Sequence, residues 1–360
     1  MTFATGRVIH KLLAPPASEV TFSRRGFHVG QTESRDYLEQ VGRWFLTGLE
    51  YGMTTAGEQE IATQLETVPW EYRGFAYEGA SMALAILDGL LPGRAGRLDT
   101  FIAGPGAHQT YTSHVGAGWA MARLPRPLRS RIRLRDPLLR WLALDGYGFH
   151  EAYFHTSRVV GEHRAPRLVW IPAGSARDAV HVVDQGIGRA LWFVCGADVE
   201  YLSETIAGFT PDRQADLWAG VGLAAAYAGV PSSTVEGHQE LATAQATERS
   251  IRDLAARAGG YLPDVAQGAA FAAKARYRPG LVTSQTAIAV RVLCGMDVAD
   301  AARCTDEARP SDPAIAGAYQ AWRNRIRRHF AVDSFSSAPG SAAPSQGDGL
   351  MGKVHEREVI

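Results

Sequence analysis

A short unit built around glycine recurs six times in this chain: Glu78-Gly79-Ala80, Val115-Gly116-Ala117-Gly118, Asp145-Gly146-Tyr147-Gly148, Gln185-Gly186-Ile187-Gly188, Ala219-Gly220-Val221-Gly222 and Gln267-Gly268-Ala269. The surrounding apolar residues return at three- and four-residue steps, the spacing of a buried helix face. Glycine within a helix costs about 1 kcal/mol against alanine, so six such placements need a compensating gain. Small residues let helix axes approach closely. Alternatively, bare backbone faces a ligand, with the polar neighbour presented beside it.

The units also pair at a longer range. Ile102-Ala103-Gly104 lies twelve residues before Gly116, and Ile206-Ala207-Gly208 lies twelve before Gly220. Phe149 to Phe154 parallels Phe271 to Tyr277. A tandem duplication, with halves near 74–155 and 181–278, accounts for this. A partial third copy follows at Ser284 to Gly295, and Glu39 to Arg43 precedes the first. The expected fold is all-α, an internally duplicated helical-repeat array of stacked helix pairs. It could close into an α/α toroid around a central apolar cavity or stay an open layered bundle. Residues 1–33 read as an irregular N-terminal segment with a β-like stretch at Glu19 to Phe22. Residues 34–333 read as one all-helical domain, interrupted by an extended loop or short strand at Arg167 to Pro172. Residues 334–360, rich in Ser, Gly, Pro and Ala and then charged, read as a disordered tail.

Several function classes are excluded by composition. Lys plus Arg and Asp plus Glu are equal at 37 each, so no global field holds nucleic acid or an anionic membrane. The three cysteines, Cys195, Cys294 and Cys304, are too scattered for a disulfide framework or a zinc cage. The N-terminus lacks a signal-peptide core, and nowhere do 18 apolar residues run without a charge. A soluble cytoplasmic protein is expected, with membrane contact only through a partner. There is no G-x-x-x-x-G-K-[ST], no G-x-S-x-G and no D-D-x-x-D, and the Gly-x-Gly units lie in helices, not after strands. No cofactor and no metal are expected.

Glu78, Asp145, Gln185 and Gln267 all stand immediately before the first glycine of their unit. If one face of the repeat lines a common cavity, these four converge there. A carboxylate among apolar walls then acquires a raised pKa suited to acid–base work. The bland alternative is that they pair with Arg73, Arg189 or backbone groups. The densest polar cluster runs from Asp145 to His155. His150 and His155 are five apart, about 140° around a helix, so they cannot chelate one ion as i, i+4 histidines do. Glu151 and His155 do share a face, as a proton relay, as half of a metal site completed elsewhere, or as an ordinary helix-surface pair. His114 and Trp218 occupy matching repeat positions that could flank a planar guest, and core packing is the default for both. Lys274 and Arg276 could meet a buried anion or simply snorkel.

Leu12-Leu13-Ala14-Pro15, Arg25-Gly26-Phe27, Arg73 to Gly79, His114 to Ala120, Asp136 to His155 and Gly186 to Trp192 together resemble the UnbL-like domain-of-unknown-function family (DUF 1702) of actinobacterial enediyne gene clusters. The resemblance covers about residues 8 to 305. It implies a role in building an enediyne core beside an iterative polyketide synthase and companion proteins, one of them a membrane protein. It supplies no catalytic residue set. The expected substrate is a linear conjugated polyene, acted on or sequestered in a cavity walled by Trp119, Phe149, Trp192, Trp218 and Phe271. Arg73, His114, Gln185, Arg189 and Gln267 complete the binding set, and Glu78, Asp145, His150 and Glu151 are the candidate proton handlers. Two other readings compete. One is an acid-initiated cyclase or isomerase of a polyene or isoprenoid, steadied by aromatic faces. The other is a non-catalytic helical scaffold for the companion proteins.

Overall fold

The computed structural model describes residues 16–91, 96–168, 172, 175–229 and 238–336. Sixteen α-helices and several shorter helical turns make up the fold, with no strand among the described residues. The predicted β-like stretch at Glu19 is two helical turns, Ala17–Val20 and Phe22–Arg25, the second capped by the Thr21 hydroxyl accepting from Arg24 N–H. Arg167 and Leu168 are irregular, and the rest of that predicted strand up to Ile171 lies outside the described residues. The predicted tail begins later than expected, because the last helix runs to Ser336; the remainder lies outside the described residues.

A row of successive helices forms the body: α1 (Thr32–Thr54), α2 (Arg73–Leu90), α3 (Thr110–Arg123), α4 (Leu142–Phe154), α5 (Ala176–Val194), α6 (Pro211–Tyr227) and α7 (Leu262–Tyr277), with the long helix His238–Ala258 inserted in the chain between α6 and α7. Each packs chiefly on the next in sequence. Local signals fix the starts: Ser175 accepts from Asp178 N–H at the head of α5, and prolines occupy the first turn of α6 and α7. The halves share a short helix after their first long one but differ further on, where the 21-residue helix His238–Ala258 precedes α7 and only the four-residue helix Arg126–Arg129 and a short turn at Leu139–Trp141 precede α4. A short helix, Arg97–Ala103, links α2 to α3, and Val199–Ala207 links α5 to α6 at the equivalent place.

Residues two apart on a helix point about 200° apart, so a Gly-x-Gly doublet bares two opposite sides of its helix. The row of helices follows from this. A Cβ on Gly116 would meet the Glu78 carbonyl of α2 at 2.2 Å, and one on Gly118 the Ala143 carbonyl of α4 at 2.0 Å. Gly146 faces Val115 of α3 and Gly148 faces Val183 of α5. Gly186 faces Asp145 of α4, Gly188 Leu217 of α6, Gly220 Gln185 of α5, and Gly222 Val265 of α7. In each doublet the first glycine touches the helix before and the second the helix after. The Cα–H in the Cβ direction thus aims at a neighbour's carbonyl oxygen, a weak hydrogen bond that recurs at close helix crossings. The ligand-facing role considered for these glycines is therefore taken by neighbouring helices.

The residue before the first glycine, and the one three after it, fall together on one of the two remaining sides. This inner side carries Glu78 and Met82, Trp119, Asp145 and Phe149, Gln185 and Arg189, Leu223, and Gln267 and Phe271. Other contacts tie the row's ends together. The Tyr37 hydroxyl of α1 donates to the Ala228 carbonyl after α6, and the buried Arg276 of α7 donates to the carbonyls of Tyr227 and Glu71. After α7, the chain forms α8 (Ser284–Cys294) and the helix Val298–Glu307, then closes with α9 (Ala318–Ser336). Tyr319 stacks on Trp141, and Trp322 packs on Phe271.

Candidate functional site

Three inner-side residues from three helices form a single buried cluster. The Arg189 guanidinium is paired with Asp145 Oδ1, and its other terminal nitrogen stands 3.8 Å from Glu78 Oε2. Gln185 donates to Asp145 Oδ2 at 2.7 Å, and the Trp119 indole N–H donates to Glu78 Oε1 at 2.9 Å. One buried cation thus faces two buried carboxyls. It can fully compensate only one of them, and the closer contact goes to Asp145, whose two oxygens are both engaged by N–H donors. Glu78 is left with the weaker share. Burial pushes its pKa up to about 7, and the Asp145 charge adds to the rise, while Arg189 and the Trp119 hydrogen bond oppose it.

The cluster stands between two clefts. The first is aromatic: Phe45, Phe75, Trp119, Phe149, Tyr153 and Phe193 surround Glu78 and Arg189. The second is lined by Tyr111, Val115, Leu142, Phe271 and Trp322, with Asp145 and Lys274. Glu78, Arg189, Leu223 and Tyr227 line both, so they form the wall between them. Arg189 also lies 5.2 Å from the centre of the Phe149 ring, a cation–π contact across the first cleft.

Not every predicted residue joins this cluster. Gln267 is buried on the same repeat position, but its side-chain oxygen accepts from Arg323 Nε of α9 at 3.3 Å, in a separate polar group. There Asp216 accepts from His181 at 2.6 Å, Arg323 at 2.7 Å and Arg327 at 2.8 Å. Arg73 lies apart at the start of α2, bonded to Glu66 and to the Val68 carbonyl. His114 and Trp218, two residues before their first glycines, are buried and line neither cleft. His114 Nδ1–H donates to the Thr110 carbonyl at 2.7 Å, and burial lowers its pKa. Trp192 is fully buried and donates to the Gly229 carbonyl, also away from the clefts.

His150 and Glu151 line neither cleft. His150 is buried beside Phe154 and Trp119, and burial depresses its pKa; its Nδ1 is 3.5 Å from Glu151 Oε1, too long for a strong bond. Burial works to raise the Glu151 pKa, but His150, His155 and Arg158 outweigh it and hold the group low; Arg158 is the close partner at 2.6 Å. No group of three or more His, Cys, Asp or Glu able to hold a metal occurs among the described residues. Lys274 pairs with Asp306 at the edge of the second cleft, and Arg276 takes carbonyls, with no buried anion as partner.

Sequence reasoning missed Phe75, Arg123, Tyr153, Phe193 and Tyr227 in the first cleft. A signal was available for three of them: Arg123, Tyr153 and Phe193 stand one turn after Trp119, Phe149 and Arg189, on the same stripe. The Asp216 group had no such signal, because its arginines lie 107 and 111 residues further along the chain.

The fold and the site define an all-helical repeat protein with a buried carboxyl–guanidinium cluster set between two mainly apolar clefts. The chain belongs to the family described as protein of unknown function (DUF1702), whose match spans residues 4–330. No curated protein and no solved structure matches it. No helix among the described residues is long and apolar enough to cross a membrane.

Proposed function

We propose that this protein takes up a linear conjugated polyene in the aromatic cleft and moves a proton on it through Glu78. The observation that carries this reading is a buried carboxyl, with its pKa near neutrality, in the wall of a cleft built from aromatic rings. Such a group can both take and return a proton at neutral pH. A polyene suits the walls because its extended π-system presents apolar faces and edges to Phe45, Phe75, Trp119 and Phe149. In the step proposed, the Glu78 carboxylate takes a proton from a carbon next to the conjugated system. After its proton exchanges with solvent, Glu78 returns one further along the chain, so the double bonds shift by one position with no net redox change. Arg189 steadies the charge during the transfer and Trp119 holds the carboxyl in place.

The enediyne pathway implied by the family resemblance supplies a substrate of this type and companion proteins as partners, in the cytoplasm. Acid-initiated cyclisation is less well supported, since a carboxyl with a pKa near 7 is a weak acid towards an unactivated double bond. The test is incubation of the purified protein with a synthase-derived polyene in heavy water. Wild type should bind it and introduce solvent deuterium into the chain; Glu78→Gln should keep the binding and lose the deuterium incorporation. Binding without incorporation in wild type would favour sequestration. Failure to bind would sink the reading and leave the scaffold role.

A further inference from the structure

Four residues line both clefts, and three of them are fixed by polar or ring contacts. Glu78 accepts from the Trp119 indole, Arg189 is paired with Asp145, and Tyr227 meets the Phe75 ring edge to face, with ring centres 5.1 Å apart, while lying under the Arg276 guanidinium. All three are buried. Leu223 is the fourth. It is half-buried, and its aliphatic side chain has only packing to hold it. It stands three residues after Gly220, and the same repeat position carries Met82, Trp119, Phe149, Arg189 and Phe271 in the other helices. Leucine is the shortest side chain found at that position, so the part of the partition that it forms is the part a single substitution can remove.

On either side of Leu223 the lining is largely apolar. Phe45, Phe75 and Phe149 stand in the first cleft, and Val115, Leu142 and Phe271 in the second. A hydrocarbon chain suited to one is chemically suited to both, and the side chains between them decide how far it runs. We infer that Leu223 is a specificity-determining residue: it stops a linear polyene at Glu78 and keeps the chain out of the second cleft. This inference rests on the polyene reading of the first cleft. It adds which part of the substrate reacts. A chain that ends against Leu223 presents its terminal carbons to Glu78, which stands in the same wall, whereas a chain free to run on would present its middle.

The probes are diphenylbutadiene, diphenylhexatriene and diphenyloctatetraene, stiff fluorescent rods with identical ends that differ only in polyene length. Each is titrated into wild type and variants. Wild type should bind the longest rod no more tightly than the next, because the added length finds no room. Leu223→Ala should hold the shortest rod within about twofold, which also reports an intact cleft, and tighten the longest by about tenfold, the gain from burying roughly two more carbons. Ala275 lines the second cleft, so adding Ala275→Leu to Leu223→Ala should cancel that gain. Leu223→Phe, the side chain that α4 and α7 carry at this position, should show no gain. Leu223→Val should show a smaller one, and it carries the test if the alanine variant loses all three rods. Steady tightening with length in wild type, or an unchanged length preference on shortening Leu223, overturns the inference and leaves the polyene reading standing. A gain that survives Ala275→Leu, or that appears in Leu223→Phe too, overturns it as well, since loosened packing would then be the cause. If no rod binds wild type, the polyene reading fails and this inference with it.

Discussion

At the scale of single residues, the site turns on an imbalance between one guanidinium and two carboxyls. Arg189 serves Asp145 closely and Glu78 at a distance, so Glu78 holds its proton more tightly in the folded chain than in the unfolded one. The sign of the consequence is definite. Between the ordinary carboxyl value of 4.5 and about 7, rising pH strips the unfolded chain first, and stability falls across that window. The penalty is fully present above about 7 and amounts to roughly 3 kcal/mol. Glu78→Gln removes it. The variant should therefore gain stability relative to wild type between pH 5 and pH 8, by up to about 3 kcal/mol in urea unfolding. A difference that does not vary with pH would show that Glu78 ionises normally. The candidate residues before the glycines were legible because they share a repeat position. Which of them carries the proton was not, because that depends on a distance between α2 and α5 that no local pattern encodes.

At the scale of elements, the Gly-x-Gly doublets set the helix spacing. A methyl group on Gly188 would stand 2.0 Å from the Leu217 carbonyl, against backbone that cannot rotate away. Gly188→Ala should cost about 1–3 kcal/mol or more despite alanine's better helix propensity, as thermal unfolding would show. Gly260→Ala is the control: nothing lies within 4 Å of a Cβ there, so the change should be neutral or slightly stabilising. The last helix depends on charge instead. Asp216 is buried, which alone would raise its pKa, yet Arg323, His181 and Arg327 hold it well below the usual carboxylate range. That contribution to stability is present above about pH 4 and is lost as the pH falls below it. Asp216→Asn leaves Arg323 fully buried without its partner, so it should cost about 3–5 kcal/mol and expose α9 to hydrogen exchange before the rest of the chain. The helices themselves were readable from periodicity and capping residues. The docking of α9 was not, because Arg323 meets Asp216 across 107 residues of chain, beyond the reach of any local pattern.

At the scale of the whole molecule, contacts join segments that are far apart in the chain. Arg276 joins the end of α7 to the Tyr227 carbonyl of α6 and to the Glu71 carbonyl ahead of α2, and its guanidinium lies 4.2 Å from the centre of the Tyr227 ring. Arg276→Met would leave those carbonyls without their charged donor. It should cost about 3 kcal/mol or more and speed hydrogen exchange at the start of α2 and the end of α7 together. Exchange confined to α7 would show that the contact is only local. The sequence by itself determined the all-helical class, the repetition and the order of packing. Glycines two apart bare opposite sides of any helix, and the residue before them must then face a third direction. Tertiary structure alone decided that three of the four polar repeat positions gather around one inner polar group, that Gln267 turns to α9 instead, and that His114, Trp192 and Trp218 stand away from both clefts. Helical periodicity fixes the side of a helix on which a residue lies. The partner that a side chain meets on another helix depends on the summed close contacts of many residues, so it is a property of the assembled fold.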